Sequence, residues 1–477
     1  MSKTPSPIVS TIPVVALVAM LYFIISTFGS DSLNGASQIA LLSATAICIA
    51  IGMIFYKVPW ENFENKIVDN VKGVASALII LLIIGALSGT WMLSGIVPTL
   101  IDYGMHIIHP QFFLASACII CIIISVMTGS SWTTIATIGI ALMGIGQAQG
   151  YADGWIAGAI ISGAYFGDKI SPLSETTVLA ASVTRTPLFS HIRYMMITTI
   201  PSIVITLIIF FIVGLTGDTA QSSQIDKISA VLNQRFNISP WLLIVPIITG
   251  IMIAKRIPSI ITLFTSTLLA TITALISQPQ TIAELGQGAK PLFEGVVAMI
   301  TGSTNLESGN GLVNDLIATR GMSGMLSTIW LILCAMCFGG AMTASGMIKS
   351  VTSIFLKMMK STFSLVSSTV CSGLLLNLTT ADQYISIILN GNMFRDIYHD
   401  KGYESKLLSR ATEDSVTVTS VLIPWNSCGL TQSTVLNVST LPFLPYCFFN
   451  YISPIMSIIV AATAFRISRK VKPADEA

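Results

Sequence analysis

Residues 167–177 read Gly-Asp-Lys-Ile-Ser-Pro-Leu-Ser-Glu-Thr-Thr, a polar stretch between the apolar runs Trp155 to Phe166 and Val178 to Val183. Pro172 removes a backbone N–H and disfavours helix at the residue before it, but it suits the first turn of a new helix. The stretch therefore predicts a broken helix that begins again at Pro172, with Ser171 as its N-cap. Polar backbone and side-chain groups are then expected at the break.

The same stretch carries three ionisable side chains, Asp168, Lys169 and Glu175. Ionisable groups at membrane depth are costly, so each is first considered as part of a functional site. The first part of the helix is expected to end near Asp168. Lys169 could pair with Asp168 or Glu175 and keep an empty site close to neutral. The alternatives are a structural ion pair at a helix end and, for Glu175, a position in a wet vestibule.

The composition indicates a membrane protein. Of the 477 residues, 53% are hydrophobic and only 10% are charged, and the mean hydropathy is +0.80, whereas soluble domains carry about 25% charged residues. Because about 20 apolar residues span a bilayer as a helix, we predict an all-α polytopic membrane protein. The net charge of +2 gives no indication of a nucleic-acid partner. The sequence has no G-x-x-x-x-G-K-[ST] loop for a nucleotide, which argues against an ATP-driven pump.

Two segments are predicted to form re-entrant hairpins, because each consists of two short apolar halves joined by polar residues. In residues 111–148 the join is Thr128-Gly129-Ser130-Ser131, and in residues 361–394 it is Thr379-Thr380-Ala381-Asp382-Gln383. Such tips are tolerated at membrane depth only where protein or a wet cavity covers them. Both tips are therefore candidate parts of a transport site.

A proline-bearing broken helix follows each hairpin, so the order of helix, hairpin and broken helix occurs twice. We predict two inverted repeats, each with about five transmembrane helices, one re-entrant hairpin and one discontinuous helix. The predicted segments are a first repeat at 1–215 with its broken helix at 154–184, an external linker at 216–240, a second repeat at 241–466 with its broken helix at 407–440, and a cytoplasmic tail at 467–477. The placement of residues 278–322 stays open.

A weak internal match supports the repeat. A shift of 251 residues aligns the two hairpin tips, with Thr128 on Thr379 and Ser131 on Asp382, and one more residue aligns Pro172 with Pro424. Repeats with paired discontinuous helices are typical of secondary transporters whose site lies near the membrane midplane.

The loop charges predict the orientation. With the N-terminus in the cytoplasm and both hairpins re-entering on the side they left, most of the 24 Lys and Arg residues fall in cytoplasmic segments. This satisfies the positive-inside rule and places both termini in the cytoplasm. In this orientation the two halves of the chain cross the membrane in opposite directions, as inverted repeats do. Glu413 and Asp414 are assigned to the cytoplasmic edge.

Oxygen-bearing side chains at the breaks and tips predict a cation site. Na⁺ is a hard cation that takes carboxylate, hydroxyl and carbonyl oxygens. Loss of water around a carboxylate favours its protonated form, so one carboxylate can carry either Na⁺ or H⁺. Asp168 and Asp382 are the predicted Na⁺ carboxylates. The other candidate ion-binding or proton-binding residues are Thr128, Ser130, Ser131, Ser171, Ser174, Glu175, Thr379, Asn426 and Ser427.

Each candidate also has a structural explanation. Asp382 could cap a half-helix, where an acid is favourable to the helix dipole. Serine and threonine hydroxyls in membrane helices often bond only the backbone. Asn426 and Ser427 could serve packing alone.

Residues 163–174, Gly-Ala-Tyr-Phe-Gly-Asp-Lys-Ile-Ser-Pro-Leu-Ser, closely resemble the signature of the NhaC family of Na⁺/H⁺ antiporters. Residues 129–132 and 381–384 resemble that family's two hairpin tips, and the resemblance covers nearly the whole chain. It implies the architecture of the ion transporter superfamily: a scaffold that dimerises and a transport domain with two hairpins and elevator-type movement. The family includes relatives that exchange malate for lactate with Na⁺ and H⁺. This chain departs from the pattern at Glu175, where Asp is usual, and at Val178, where Asn is common.

We therefore predict a secondary active transporter, not an enzyme, that exchanges Na⁺ for H⁺ across the bacterial inner membrane by alternating access. No cofactor is expected, because Na⁺ and H⁺ are the transported ions. The expected partners are the lipid bilayer and a second copy in a homodimer, with no nucleic acid and no nucleotide. Two inverted broken-helix units suit alternating access better than a continuous channel pore.

The alternative is a Na⁺/H⁺-coupled organic-anion exchanger of the malate/lactate kind, or an amino-acid transporter. Its anionic substrate would lie at the half-helix N-termini after Pro172 and Pro424. The lack of an arginine within the predicted apolar spans counts against this alternative.

Overall fold

The computed structural model describes residues 5–28, 35–216, 222–255, 257–286, 288–357, 359 and 361–469. These residues form helices joined by short turns, and they contain no β-strand, only two isolated bridges. Eight helices in these ranges are long and apolar enough to span a bilayer, or ten if two bent pairs each form one span. The all-α polytopic membrane fold is confirmed. Residues 470–477 of the predicted tail lie outside the described part of the chain.

Four helices precede the first hairpin: α1 (Pro7–Phe28), α2 (Ala36–Tyr56), α3 (Trp60–Leu93) and α4 (Ile96–Ile107). The third has 34 residues and includes the charged segment between Trp60 and Ser76. The charged segment before Ser76 is helical because Phe63, Asn70 and Val74 repeat at helical spacing and are buried, while Lys66 on the other face is exposed.

The first hairpin segment and the helices after it follow in order: α5 (Phe113–Thr128), α6 (Ser131–Thr134), α7 (Ile140–Ala148), α8 (Asp153–Ile170), α9 (Glu175–Val183) and α10 (Leu188–Thr216). One π-helical turn, Ile135–Gly139, joins α6 to α7. The breaks in these helices fall where polar residues interrupt the apolar runs, at Gly129-Ser130 and at 171–174. That the hairpins re-enter the membrane stays a prediction.

The middle of the chain forms six helices: α11 (Ser222–Arg235), α12 (Ile244–Ala254), α13 (Ser259–Ser277), α14 (Pro279–Leu285), α15 (Pro291–Thr301) and α16 (Gly311–Ile317). The predicted linker, read from sequence as a polar loop, thus contains α11, because Ile225, Ile228 and Leu232 recur at helical spacing and are buried. Residues 217–221 of that linker lie outside the described ranges.

The segment 278–322, whose placement the sequence left open, folds back onto α3. The backbone of α15 at Met299 approaches Gly89 so closely that a Cβ there would lie 2.0 Å from the Met299 carbonyl oxygen. Thr304 and Thr319 then pair through two backbone hydrogen bonds. Thus α15 packs against α3, and α14 packs against α15.

The second half ends with eight helices: α17 (Leu326–Ala344), α18 (Met347–Lys357), α19 (Thr362–Thr380), α20 (Gln383–Asp400), α21 (Ser405–Thr412), α22 (Ser427–Leu436), α23 (Thr440–Phe443) and α24 (Phe448–Ala462). A π-helical turn, Glu413–Thr417, continues α21, and a 3₁₀ turn, Ser420–Leu422, precedes the break before α22.

Two kinds of surface show how the helices are arranged. On α13, Leu263 and Ala270 are buried, whereas Phe264 and Leu268 are about half exposed, as expected for a helix with one protein-facing and one lipid-facing side. Within the protein, α5 and α8 pack closely, and a Cβ on Gly163 would lie 2.2 Å from the carbonyl oxygen of Cys118. The first hairpin segment therefore packs directly against the broken helix.

Candidate ion-binding site

The break in the first discontinuous helix differs in detail from the sequence prediction. The helix α8 ends at Ile170, and α9 begins at Glu175 rather than at Pro172. Ser174 is the N-cap, since its hydroxyl accepts from the backbone N–H of Thr177. Ser171 instead ends α8 and donates its hydroxyl proton to the Val126 carbonyl oxygen at 2.8 Å. The predicted restart at Pro172 with Ser171 as N-cap was therefore wrong, because Ser171 is held by the neighbouring hairpin.

Asp168 is the point where the first hairpin tip meets both parts of the broken helix. Its Oδ2 accepts from the backbone N–H of Ser131 at 3.1 Å and from the Ser131 hydroxyl at 2.7 Å. Its Oδ1 accepts from the Ser174 hydroxyl at 2.6 Å. The side chain is only 6% exposed. The buried carboxylate of α8 thus has three hydrogen-bond donors, two from the first hairpin tip and one from the break before α9.

Asp382 lies at the second hairpin tip itself. Its Oδ1 accepts from the backbone N–H of Ile385 at 3.0 Å, so it does cap α20. Its Oδ2 accepts from the Ser427 hydroxyl at 3.0 Å, and the Ser427 backbone N–H donates to the Ala381 carbonyl oxygen at 2.8 Å. Oδ1 of Asp382 therefore caps α20, and Oδ2 bonds the second broken helix.

Both acids line one cavity of about 650 Å³. Glu175 also lines it, and the Tyr384 hydroxyl donates to Glu175 Oε2 at 3.1 Å. The opposite wall is formed by α3 around Val74 and by the residues that lead into α13. The cavity therefore lies between the two hairpin tips, with carboxyl groups contributed by both halves of the chain.

The two tips are built alike, but with a different alignment from the one predicted. The Thr128 hydroxyl donates to the carbonyl oxygen of Ser130 at 3.1 Å, and the Thr380 hydroxyl donates to that of Asp382 at 2.9 Å. Gly129 and Ala381, which follow the two threonines, have φ of 66° and 59°.

Further contacts repeat at the same separation. The Ser125 side chain donates to the Ala164 carbonyl oxygen at 2.6 Å, and the Asn377 side chain donates to that of Val416 at 2.7 Å. The correspondence at the tips is thus 252 residues, the separation of Ser125 from Asn377. The predicted shift of 251 was one residue short there. It aligned Thr128 with Thr379 by residue type, whereas the hydroxyl that closes the second turn is that of Thr380.

The remaining candidate residues divide into two groups. Thr128 and Ser130 line the cavity. The Thr379 hydroxyl donates to Leu375 of its own helix at 2.9 Å, which is the backbone bonding expected of a structural hydroxyl. Asn426 caps α22 and donates its amide to the Asn377 carbonyl oxygen at 3.2 Å.

Lys169 does not pair with its acidic neighbours. Its ammonium group donates to Asp414 Oδ1 and, at 2.8 Å, to the Ser453 hydroxyl. Both Lys169 and Asp414 have fully buried side chains. The expected pairing of Lys169 with Asp168 or Glu175 was therefore wrong, since α8 turns Lys169 toward the second broken helix.

Sequence reasoning also missed the environment of residues 410–414. Arg410, Glu413 and Asp414 each have fully buried side chains, and the assignment of Glu413 and Asp414 to the cytoplasmic edge stays a prediction. Arg410 is thus a buried arginine, although it lies outside the apolar helices that could span a membrane and does not line the cavity. The available signal was the apolar sequence on both sides, Leu407-Leu408 and Val416 to Leu422, which leaves these charges inside a buried helix.

The profile of the Na⁺/H⁺ antiporter family matches residues 163–465 of this chain. The Na⁺/H⁺ antiporter NhaC of Bacillus subtilis is 34% identical over 421 residues, covering 88% of this chain and 91% of that protein. The chain belongs to the NhaC family of Na⁺/H⁺ antiporters. Another NhaC, from Alkalihalophilus pseudofirmus, is 34% identical and covers 90% of this chain and 92% of its own. The malate-2H⁺/Na⁺-lactate antiporter of Bacillus subtilis is 35% identical over 89% of each chain.

Membership of the NhaC family agrees with the resemblance found in the sequence. The matched range begins at Gly163, so it includes Asp168, the second hairpin tip and the buried charges around Asp414. The relatives are named as antiporters, which are transporters rather than enzymes. The first hairpin tip lies before the matched range.

Proposed function

We propose that this protein exchanges Na⁺ for H⁺, with Asp168 as the carboxylate that binds the cation. The observation that carries the proposal is the convergence of the Ser131 and Ser174 hydroxyls on a buried carboxylate. Each hydroxyl oxygen has lone pairs that can turn toward a cation, and carboxylate and hydroxyl oxygens are the ligands that hard cations take.

The second half of the protein would complete the transport path. Asp382 reaches the same cavity from the other hairpin tip and contributes a second carboxylate. Similar tip turns in the two halves support inverted repeats, in which alternating access exposes one site to each side in turn. Elevator-type movement of the hairpin domain against a dimeric scaffold is our proposal for the movement.

The proposed location is the bacterial inner membrane, with both termini in the cytoplasm. The positive-inside distribution of Lys and Arg supports this orientation. Protease protection of terminal tags in right-side-out vesicles would test it, since both tags should be protected. Cross-linking in native membranes would test the homodimer.

The central experiment measures Na⁺-dependent proton movement in proteoliposomes that contain a pH-sensitive dye. Asp168→Asn should abolish the signal, because the amide carries no charge and binds Na⁺ weakly. Asp153→Asn is the matched control, since Asp153 lies on the same helix but is exposed and accepts a hydrogen bond from Gln147. Near-normal exchange by Asp168→Asn would overturn the assignment.

A second candidate function is Na⁺-coupled exchange of an organic anion. The observation that favours it is the cavity of about 650 Å³, which lies in the range of small-molecule sites. The malate-2H⁺/Na⁺-lactate antiporter is also among the similar proteins. Thermal stabilisation by malate, lactate or an amino acid, beyond that given by NaCl alone, would support this function.

A further inference from the structure

A group of buried charges lies next to Asp168 but does not line the cavity. Its members are Lys169 on α8, Arg410 on α21, and Glu413 and Asp414 on the π-helical turn that continues α21. We refer to these four residues as the buried charge cluster. All four have no exposed surface. Charges at such depth are retained where they are paired or functional.

Three of the four charges have partners. Asp414 Oδ1 accepts from Lys169 and, at 3.1 Å, from the Thr198 hydroxyl. The Arg410 Nε lies 4.0 Å from Asp414 Oδ2, and its guanidinium carbon lies 4.7 Å from the centre of the Tyr194 ring. Asp414 is therefore the counter-charge of both Lys169 and Arg410.

Glu413 is the exception. Both of its carboxyl oxygens are buried, and the Thr417 hydroxyl is close enough to interact with them, but neither oxygen accepts a hydrogen bond of normal geometry from any described residue. An ionised carboxylate without hydrogen bonds is strongly disfavoured in such a position, whereas a protonated carboxyl group is tolerated. Glu413 lies within electrostatic range of Lys169, Asp168 and Asp414, so its protonation depends on their charges.

The charges can be counted for the empty site. With Asp168 ionised and Glu413 protonated, the two cations of the cluster balance Asp414 and Asp168. Binding of Na⁺ at Asp168 adds one positive charge. Loss of the Glu413 proton then restores neutrality, because the new carboxylate is attracted by the cations around it.

We propose that Glu413 is the proton-binding site of this antiporter, separate from the cation site at Asp168 and coupled to it through the buried charge cluster. The proposal rests on the proposed Na⁺/H⁺ exchange. In the balanced step, Na⁺ enters beside the Asp168 carboxylate and one proton leaves the Glu413 carboxyl group. In reverse, protonation of Glu413 weakens Na⁺ binding, so a lower pH expels the cation.

Other groups surround the cluster and enter the pH dependence. His191 on α10 lies near Lys169 and shares a 2.5 Å hydrogen bond with the Ser409 hydroxyl. Tyr398 on α20 lies within electrostatic range of Arg410. The Thr417 hydroxyl is the polar neighbour of Glu413 on its own helical turn. His191 is counted as a neutral imidazole, and the Tyr398 and Thr417 hydroxyls keep their protons at neutral pH. None of the three therefore changes the charge balance given above.

Two measurements separate proton coupling from cation binding. The first follows proton release when NaCl is added to purified protein in weakly buffered detergent, and about one proton per Na⁺ is expected for the native chain. The second compares ²²Na⁺/Na⁺ exchange at equal pH with Na⁺ uptake driven by a pH gradient in proteoliposomes.

Glu413→Gln removes the proton but keeps the shape. It should keep ²²Na⁺/Na⁺ exchange within about threefold and lose gradient-driven uptake by at least about tenfold, because only the second process needs the proton. Proton release on Na⁺ addition should disappear. Glu404→Gln is the matched control, since Glu404 is a partly exposed acid near the same helix, paired with Lys406, and should behave like the native chain.

The outcomes are distinguishable. Gradient-driven uptake and proton release that persist in Glu413→Gln would overturn this inference. If the native chain shows no Na⁺-dependent proton movement at all, the proposed function itself fails. Should Glu413→Gln not fold, as judged by gel filtration and thermal unfolding, Glu413→Asp provides the test: a shifted pH profile of uptake supports the inference, and an unchanged profile overturns it.

Discussion

Lys169 follows Asp168 directly in the sequence, yet its ammonium group pairs with Asp414, 245 residues further along the chain. Successive residues on a helix point about 100° apart, so Asp168 faces the cavity while Lys169 faces the second broken helix. This ion pair joins the two halves of the protein behind the proposed cation site. A change of charge at Asp168 therefore acts electrostatically on the Lys169–Asp414 pair, and the reverse.

Removal of one member of this pair should destabilise the protein. Asp414→Asn leaves Lys169 buried without its counter-charge, a change that costs about 3–5 kcal/mol in other proteins. A large fall in the thermal unfolding temperature in detergent is expected. The double variant Lys169→Met with Asp414→Leu should recover much of that loss. A double variant no more stable than Asp414→Asn would contradict the assignment.

The hydroxyl donors to Asp168 should set the apparent Na⁺ affinity. Ser131→Ala and Ser174→Ala each remove one hydrogen bond to a charged group, which is worth about 1.5–3 kcal/mol, and each also removes a candidate ligand oxygen. We expect the Na⁺ concentration for half-maximal exchange to rise by about tenfold or more. The exposed Ser182 on α9 provides the control Ser182→Ala, which should leave that concentration unchanged.

The contact between Tyr384 and Glu175 links the second hairpin tip to the first broken helix across the cavity. Tyr384→Phe removes the hydroxyl, and Glu175→Asp shortens the carboxylate arm so that the bond is lost. Both variants should change the exchange rate by a similar factor, and the double variant should be no worse than either one. Additive effects of the two substitutions would show that the two side chains act independently.

The close approach of α5 and α8 predicts a strong effect at Gly163. A Cβ there would lie 2.2 Å from the Cys118 carbonyl oxygen, a backbone atom that cannot move alone. Gly163→Val should therefore reduce the folded yield and the unfolding temperature markedly, since overpacking typically costs about 1–3 kcal/mol or more. Gly250→Ala is the matched control, because no atom lies within 4 Å of its added Cβ. A normal unfolding temperature for Gly163→Val would contradict this packing.

Several features could be predicted from local sequence. The apolar runs determined the membrane class, and the polar interruptions placed the hairpin tips and the break after Asp168 close to where they occur. The amphipathic spacing of Ile225, Ile228 and Leu232 also carried the signal for a helix in the linker, although it was read as a loop. These properties depend on residues that are neighbours along one helix, so the sequence by itself determines them.

Other features depended on which helices face each other. The pairing of Lys169 with Asp414, the burial of Glu413 and the hold of Ser131 on Asp168 join residues that are distant in the chain. Side-chain direction on α8 and the close packing of α5 against it decide these contacts, and neither follows from periodicity alone. The sequence thus determined that charges interrupt the apolar runs near a helix break, whereas only the tertiary structure decided which charge neutralises which.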